Sequence, residues 1–257
     1  YLKKELSIIL PVFNEKDSLP IMVRLLNSTI KFKKEIIIVY DDQNDNSVEA
    51  AKELASESTD IILEHNKIGK GAQYAVEAGV RISKYENILI TAVDEIFPII
   101  SVENMLDKLI SENLDLVSGT RYSKGGVRLG GSLIGAILSK IANKSFYFLT
   151  KIPLSDCTTG IKMMKKSLWK SIQLESKPIA WAFAFELSIK AYLNNFKIDE
   201  YPLKSVDRLF GGSSTFKLGP WVKEYLKWFI WGYKEIKLKR KNEKNKFLGH
   251  RCRFKRF

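Results

Sequence analysis

The sequence predicts an α/β fold: a mostly parallel central sheet with helices on both faces, plus an amphipathic C-terminal helix. Short, branched apolar runs alternate with helical stretches at regular spacing through the first half of the chain. That is the pattern of parallel sheets built from β–α–β units. Several of these runs end in acidic turns, and open α/β sheets bind ligands outside the carboxyl ends of their strands. An aromatic helix running into a basic tail sets the C-terminal segment apart.

Taken in order, Leu6-Ser7-Ile8-Ile9-Leu10-Pro11-Val12 reads as a buried strand, and Ser18 opens a helix to about residue 28. Glu35-Ile36-Ile37-Ile38-Val39-Tyr40 is a second buried strand. It ends in the polar turn 41–47, ahead of a helix over about 48–56. Residues 60–64 form a third, short strand, and the turn 66–71 opens a helix carrying Ala75, Ala78, Gly79 and Ile82. The fourth strand runs from Asn87 into Thr91-Ala92-Val93 and meets the acidic pair Asp94-Glu95, with Pro98 closing the stretch. Helix 102–111 and strand 114–119 follow, then a glycine-rich loop over 123–131 and a long apolar helix over 133–149. A polar turn at 155–160, a helix over 183–193 and a strand over 196–202 precede a second glycine-containing loop around 207–214. Gly219-Pro220 starts the last helix. The division expected is a main domain over 1–218 and an aromatic helix with basic tail over 219–257.

A chain of 257 residues with 45% hydrophobic content supports one large domain with a real core. Cys157 and Cys252 lie far apart and match no metal-ligand spacing, so neither a disulfide framework nor a cysteine zinc site is suggested. No secretory leader is expected at residues 1–5, and no run reaches the roughly 18 apolar residues of a spanning helix. The formal net charge is +13, much of it in Lys237, Lys239, Arg240, Lys241, Lys244, Lys246, Arg251, Arg253, Lys255 and Arg256. Such a patch suits an anionic membrane face or nucleic acid, and equally a solvated tail. In the last helix Trp221, Tyr225, Trp228 and Phe229 share one face with lysines beside it. That face fits the headgroup region of a membrane, or it packs on the sheet as ordinary core.

The acidic strand ends suggest a nucleotide-sugar site. Asp41 is placed to accept from a base N–H or ribose hydroxyl, and Asp94 to bind a divalent cation bridging a diphosphate. A helix cap and an ordinary turn acid are the plain readings of the same two residues. The turn 66–71 lacks the spacing of a triphosphatase loop; it is a tight turn onto a helix N-terminus with Lys70 beside it.

In order, Leu10-Pro11-Val12-Phe13-Asn14-Glu15, then Val39-Tyr40-Asp41-Asp42 with Asp45-Asn46-Ser47, then Asn66 with Gly69-Lys70-Gly71, then Asp94, resemble the family 2 glycosyltransferases of the GT-A fold. Gly119-Thr120-Arg121-Tyr122, Asp156-Cys157-Thr158-Thr159-Gly160, Phe185-Glu186-Leu187 and Asp207-Arg208 are similar to the dolichol-phosphate mannosyltransferase branch. The resemblance implies a nucleotide-sugar donor, a divalent metal (Mg or Mn), inversion at the anomeric carbon, and a polyprenyl phosphate or other envelope-glycan acceptor at a membrane surface. By position it implies Pro11, Phe13, Glu15, Asp41, Lys70 and Asp94 on the donor. Arg121, Ser139 and Ser213 fall on the acceptor side, Arg121 and Arg208 on phosphate, and Asp94 on the metal; where the sequence departs from the family, Arg128 is the substitute on the acceptor side and Glu95 the second carboxylate for the metal. The expected location is cytoplasmic, peripheral to the inner face of the cell membrane.

The sequence departs from the family pattern in places. Ala92 stands where the first acid of the Asp-x-Asp metal motif belongs, and Tyr40 replaces an aspartate after the second strand. With Gln43-Asn44 in place of a Gly-Ser style turn, this combination resembles a divergent bacterial subgroup. Gly135 and Ala136 stand where the paired arginines of a polyprenyl phosphate site are expected, and Arg128 is the nearest substitute. A phosphate acceptor needs no base, whereas a sugar hydroxyl needs one, for which Asp156 and Glu186 are the candidates. A nucleotidyltransferase would place a glycine-rich loop where Phe13-Asn14-Glu15 stands. A nucleic-acid-binding module using the tail and an inactive binding protein of transferase fold are the remaining alternatives.

Overall fold

A computed structural model describes residues 3–207 and 218–253. Its central sheet has seven strands in the order β3-β2-β1-β4-β7-β5-β8. These are β1 (Glu5–Val12), β2 (Lys33–Tyr40), β3 (Ile61–His65), β4 (Asn87–Ile90), β5 (Leu116–Thr120), β7 (Lys162–Lys165) and β8 (Ile198–Pro202). A parallel two-stranded ribbon pairs β6 (Val127–Gly130) with β9 (Lys204–Asp207). The helices are α1 (Ser18–Thr29), α2 (Ser47–Glu57), α3 (Ala72–Ile82), α4 (Val102–Ser111), α5 (Leu133–Thr150), α6 (Lys166–Ser171), α7 (Ala182–Leu193) and α8 (Leu218–Arg253).

The strands form because alternate side chains face opposite layers. Leu6, Ile8 and Leu10 of β1, with Ile36 and Ile38 of β2, pack under α1, α2 and α4. Ile9, Ile37 and Val39 point the other way, into the core that α3, α7 and the first half of α8 complete. Strands buried on both sides need the near-continuous apolar runs seen in the sequence. Strand order reverses between β1 and β4. That switch point is where a doubly wound sheet opens its ligand site.

Four details differ from the sequence expectation. β7 runs antiparallel to both neighbours, β4 and β5, in an otherwise parallel sheet. The glycine-rich stretch 123–131 contains β6, held by backbone pairing to β9. The fourth strand ends at Ile90, so Asp94 sits in the turn beyond it, before a 3-10 helix at Phe97–Ser101. The aromatic face of α8 turns inward, which corrects its assignment to a membrane. Trp228 is 3% exposed, Phe229 meets Phe146 edge-on at 5.2 Å, and Tyr225 stacks on Phe185 at 6.4 Å. Burial of large rings outweighs their amphipathic fit to headgroups when a facing helix offers apolar surface. Further along, the Lys239 ammonium caps the end of α7 by donating to the carbonyls of Tyr192 and Leu193 and to Asn195.

Candidate active site

The loops at the carboxyl ends of β1 and β2 are tied together. Asn14 adopts a left-handed backbone (φ 59°) that turns its N–H onto the Asp45 carboxylate at 2.9 Å. Glu15 N–H donates to Ser47 Oγ at 2.8 Å, and Asp45 also accepts from Ser47 N–H at the start of α2. Phe13, on this rim, is 64% exposed, although a ring of its size is usually buried. Asp41 follows β2. One of its oxygens accepts from Asn66 Nδ2 and the other from Gly71 N–H, both at 2.6 Å. It thereby fixes the 66–71 turn that carries the exposed Lys70.

Beyond the end of β4 lies a cavity of about 440 Å³. One wall carries Ala92, Asp94 and Glu95, and facing groups include Arg121, Arg128, Ser139 and Thr158. The remaining wall is apolar, built from Leu138 of α5, Phe185 of α7, Trp181, and Tyr225, Leu226 and Phe229 of α8. Glu95 is held by Ser205 of β9, whose hydroxyl donates to it at 3.1 Å. Among the described residues no group of three or more His, Cys, Asp or Glu gathers as a metal site. Asp94 and Glu95 together line the cavity as a carboxylate pair.

Arg121 owes its position to Asp156. The guanidinium reaches the carboxylate at 2.7 Å through Nε and 3.1 Å through Nη2, and Arg121 N–H adds a third bond. Asp156 is fully buried. Burial opposes its ionisation, but Arg121 prevails and holds the carboxyl below the usual range. Burial likewise opposes the charge on Arg121, and Asp156 raises its pKa above arginine's ordinary value, with Tyr122 and Glu95 adding to the rise. Thr158 joins this pair to α5, accepting from Asn143 Nδ2 at 2.7 Å, and Tyr122 donates to Ser139 at 2.9 Å. Two cations thus face two carboxylates across one cavity, an arrangement suited to phosphate groups and a cation bound to them.

Of the expected residues, the structure brings Asp94, Glu95, Arg121, Arg128 and Ser139 together on the cavity wall. Pro11, Phe13, Glu15, Asp41 and Lys70 lie along the rim formed by the β1, β2 and β3 ends. Asp156 stands behind Arg121. The cavity wall does not include Glu186, which is fully buried and accepts from the N–H groups of Glu175 and Ser176 at 2.7 Å each and from Lys190. Arg208 and Ser213 lie outside the described residues. Sequence reasoning missed the aromatic wall, because Trp181 and Tyr225 have no motif; their signal was aromatic richness, which reads equally as core.

A mostly parallel sheet that reverses order between β1 and β4, with acids and arginines lining a cavity beyond β4, is the layout of a GT-A fold. The model of "Glycosyl transferase family 2" matches residues 7–172, and the chain belongs to that family and is a glycosyltransferase. It is 26% identical over 230 residues to polyprenol monophosphomannose synthase of Mycolicibacterium smegmatis, covering 83% of this chain and 85% of that protein. It is 25% identical over 236 residues to a dolichol-phosphate mannosyltransferase of Pyrococcus furiosus, covering 87% of this chain and 62% of that longer protein. In fold it is similar to glucosyl-3-phosphoglycerate synthase of Mycobacterium tuberculosis, solved with Mn2+, UDP-glucose and phosphoglyceric acid. That match has a TM-score of 0.68 at 14% identity over 90% of this chain and 80% of the other. The same synthase with Mg2+ and UDP aligns at a TM-score of 0.67 and 14% identity, over 90% and 79%.

Proposed function

We propose that this glycosyltransferase moves a sugar, with inversion, from a nucleoside-diphosphate sugar to a polyprenyl phosphate or related lipid-linked envelope-glycan acceptor at an anionic membrane surface. The observation that carries this reading is the single cavity in which a carboxylate pair, two arginines and an apolar wall meet. A donor diphosphate matches the charged half, and an acceptor with an apolar chain matches the wall between α5 and α8. Support comes from the relatives named as acting on polyprenol and dolichol phosphate.

On this reading Pro11, Phe13, Glu15, Asp41 and Lys70 receive the nucleoside end. Asp94 and Glu95 fit a divalent cation, since Mg²⁺ or Mn²⁺ is commonly held by one or two carboxylates plus substrate phosphate oxygens. When bound, such an ion neutralises charge on the departing nucleoside diphosphate. Arg121, fixed by Asp156, and Arg128 face the phosphates, with Ser139 and Thr158 at the acceptor end; Arg208 and Ser213 are assigned to the same phosphates by resemblance alone. The Asp156 carboxylate is ion-paired and Glu186 is enclosed, so neither offers a free base. A phosphate oxygen, already nucleophilic, is therefore the acceptor group favoured. The backside direction of attack gives inversion. The surface that meets the membrane is the outer face of α5 rather than the aromatic face of α8, on the cytoplasmic side.

The test is transfer from a panel of nucleoside-diphosphate sugars, with Mn²⁺ or Mg²⁺, to a polyprenyl phosphate and to sugar-hydroxyl acceptors. Product from the lipid phosphate, abolished with EDTA and reduced at least about 100-fold in Asp94→Asn, is expected from loss of electrostatic stabilisation of the leaving group. Transfer only to hydroxyl acceptors, or full activity in Asp94→Asn, would overturn it.

A further inference from the structure

Lys162 is a charged side chain with no exposure, in the middle of the sheet. An ammonium rarely goes there without a task, because burial removes its hydration. It lies on β7, the one reversed strand, opposite Ser118 of β5 on one side and Ile90 of β4 on the other. Its Nζ donates to Ser118 Oγ at 2.9 Å, and that hydroxyl also reaches the Asp156 carbonyl at 3.4 Å.

The charged and titratable groups facing Lys162 come from each packed element. They are Asp156 and Cys157 from the preceding turn, Arg121 from the end of β5, and Glu200 from β8, while β4 presents only Ile90 in register. Glu200 in turn accepts from both the N–H and the hydroxyl of Ser155. Ser155 meets Thr120 at 2.7 Å, and Thr120 Oγ1 accepts the N–H groups of Tyr122 and Ser123. Arg121 on the cavity wall and, behind it, Lys162, Asp156 and Glu200 thus fasten the same two segments, 118–123 and 155–158. Those segments deliver Arg121, Tyr122 and Thr158 to the site.

We propose that Lys162 is a positioning residue whose buried ammonium, through Ser118 and its bond to the Asp156 carbonyl, locks the β5 end to the 155–158 turn and so aims Arg121 into the cavity. The inference rests on the reading of Arg121 as a phosphate contact. Replacing Lys162 with an apolar side chain removes the donor that holds Ser118 and loosens both segments together. Burial pulls its pKa down to about 8, and the acids beside it pull the other way, so the ammonium is lost at mildly alkaline pH. Arginine at the same site stays charged.

The test uses wild type, Lys162→Met and Lys162→Arg. Hydrogen exchange is expected to quicken at least about tenfold in segments 118–123 and 155–158 of Lys162→Met, with β1 and β2 unchanged, and to return toward wild type in Lys162→Arg. This readout needs no donor. In transfer assays the turnover of wild type falls as pH rises through about 8, and Lys162→Arg moves that alkaline limb upward by at least about one pH unit. Unchanged exchange in Lys162→Met overturns the proposal, as does an alkaline limb that stays in place in Lys162→Arg. If Lys162→Met does not fold, exchange in Ser118→Ala decides, with local quickening expected and none overturning it. A wild type inactive with every donor would instead count against the proposed function.

Discussion

Asp156 shows how one buried side chain can matter to the site without facing the substrate. It is enclosed and accepts from Arg121 through three bonds and from Thr158 N–H and Oγ1. Replacing it with Asn leaves a largely buried guanidinium without its counter-charge, a change that costs about 3–5 kcal/mol. Asp156→Asn is expected to lose that much in urea unfolding, and a loss below about 1 kcal/mol would show that Arg121 escapes to water. The pH dependence follows from the depressed pKa. The stabilisation is complete above the unfolded-state value of 3.8 and is lost as pH falls below it towards the lower folded value. Glu200, raised by burial, works with the opposite sign over the range just above 4.5. Acid titration of stability should therefore be flatter in Asp156→Asn than in wild type below pH 3.8. At this scale the motifs Asp41, Asp94, Arg121 and Asp156 were legible because each follows a strand or opens a turn. The occupancy of Asp41 by Asn66 and Gly71 was not, since a carboxylate that binds its own loop and one that binds a ligand leave the same letters in a sequence.

The elements place these residues through close packing, and α3 shows the margin. A Cβ on Gly79 would stand 2.7 Å from Ile9 Cγ2 and 3.2 Å from Val39 Cγ2, the stiff arms of two central strands. Alanine gains about 1 kcal/mol in helix propensity, but overpacking a core costs about 1–3 kcal/mol. Gly79→Ala is therefore expected to lower stability by about 1–2 kcal/mol, read as a lower melting temperature. A rise in that temperature would mean α3 can shift away from β1. The alternating early elements were legible from apolar period and turn chemistry, and apart from the early end of β4 their bounds fall within a residue or two of expectation. β7 was not recognised as a strand because Lys162-Met163-Met164 is short and begins with a lysine; its place and antiparallel orientation come from the connection through 151–161, a tertiary matter. β6 hid in a glycine-rich stretch because its order derives from pairing with β9 and not from side chains.

Across the whole molecule, the apolar surface is unevenly spread. Leu133 is 74% exposed, Ile134 63%, Ile141 59% and Phe148 69%, all on α5, and Leu226 of α8 is 52% exposed beside them. Contiguous apolar exposure on this scale marks an interaction surface. Lys140 and Lys144 stand on the same helix and Lys151 caps its end, with the Lys151 ammonium 4.2 Å from the Phe148 ring centre. No helix among the described residues is long and apolar enough to cross a membrane. Leu138 and Leu226 both line the cavity and are exposed on this face, so the apolar wall of the site opens onto it. A lipid-linked acceptor reaching the site from a membrane requires that opening, and it ties the membrane reading to the catalytic one. Each basic residue near an anionic surface adds about 1 kcal/mol, and the attraction is screened by salt. The chain is therefore expected to co-sediment with anionic vesicles and not with zwitterionic ones, and to be released by high salt. Ile134→Glu with Phe148→Glu should weaken that binding at least about tenfold while leaving the melting temperature unchanged, because both side chains are already in water. Donor binding measured without lipid should survive in the same double variant, separating the surface from the site. Equal binding of wild type and variant to anionic vesicles would show that α5 is not the docking face.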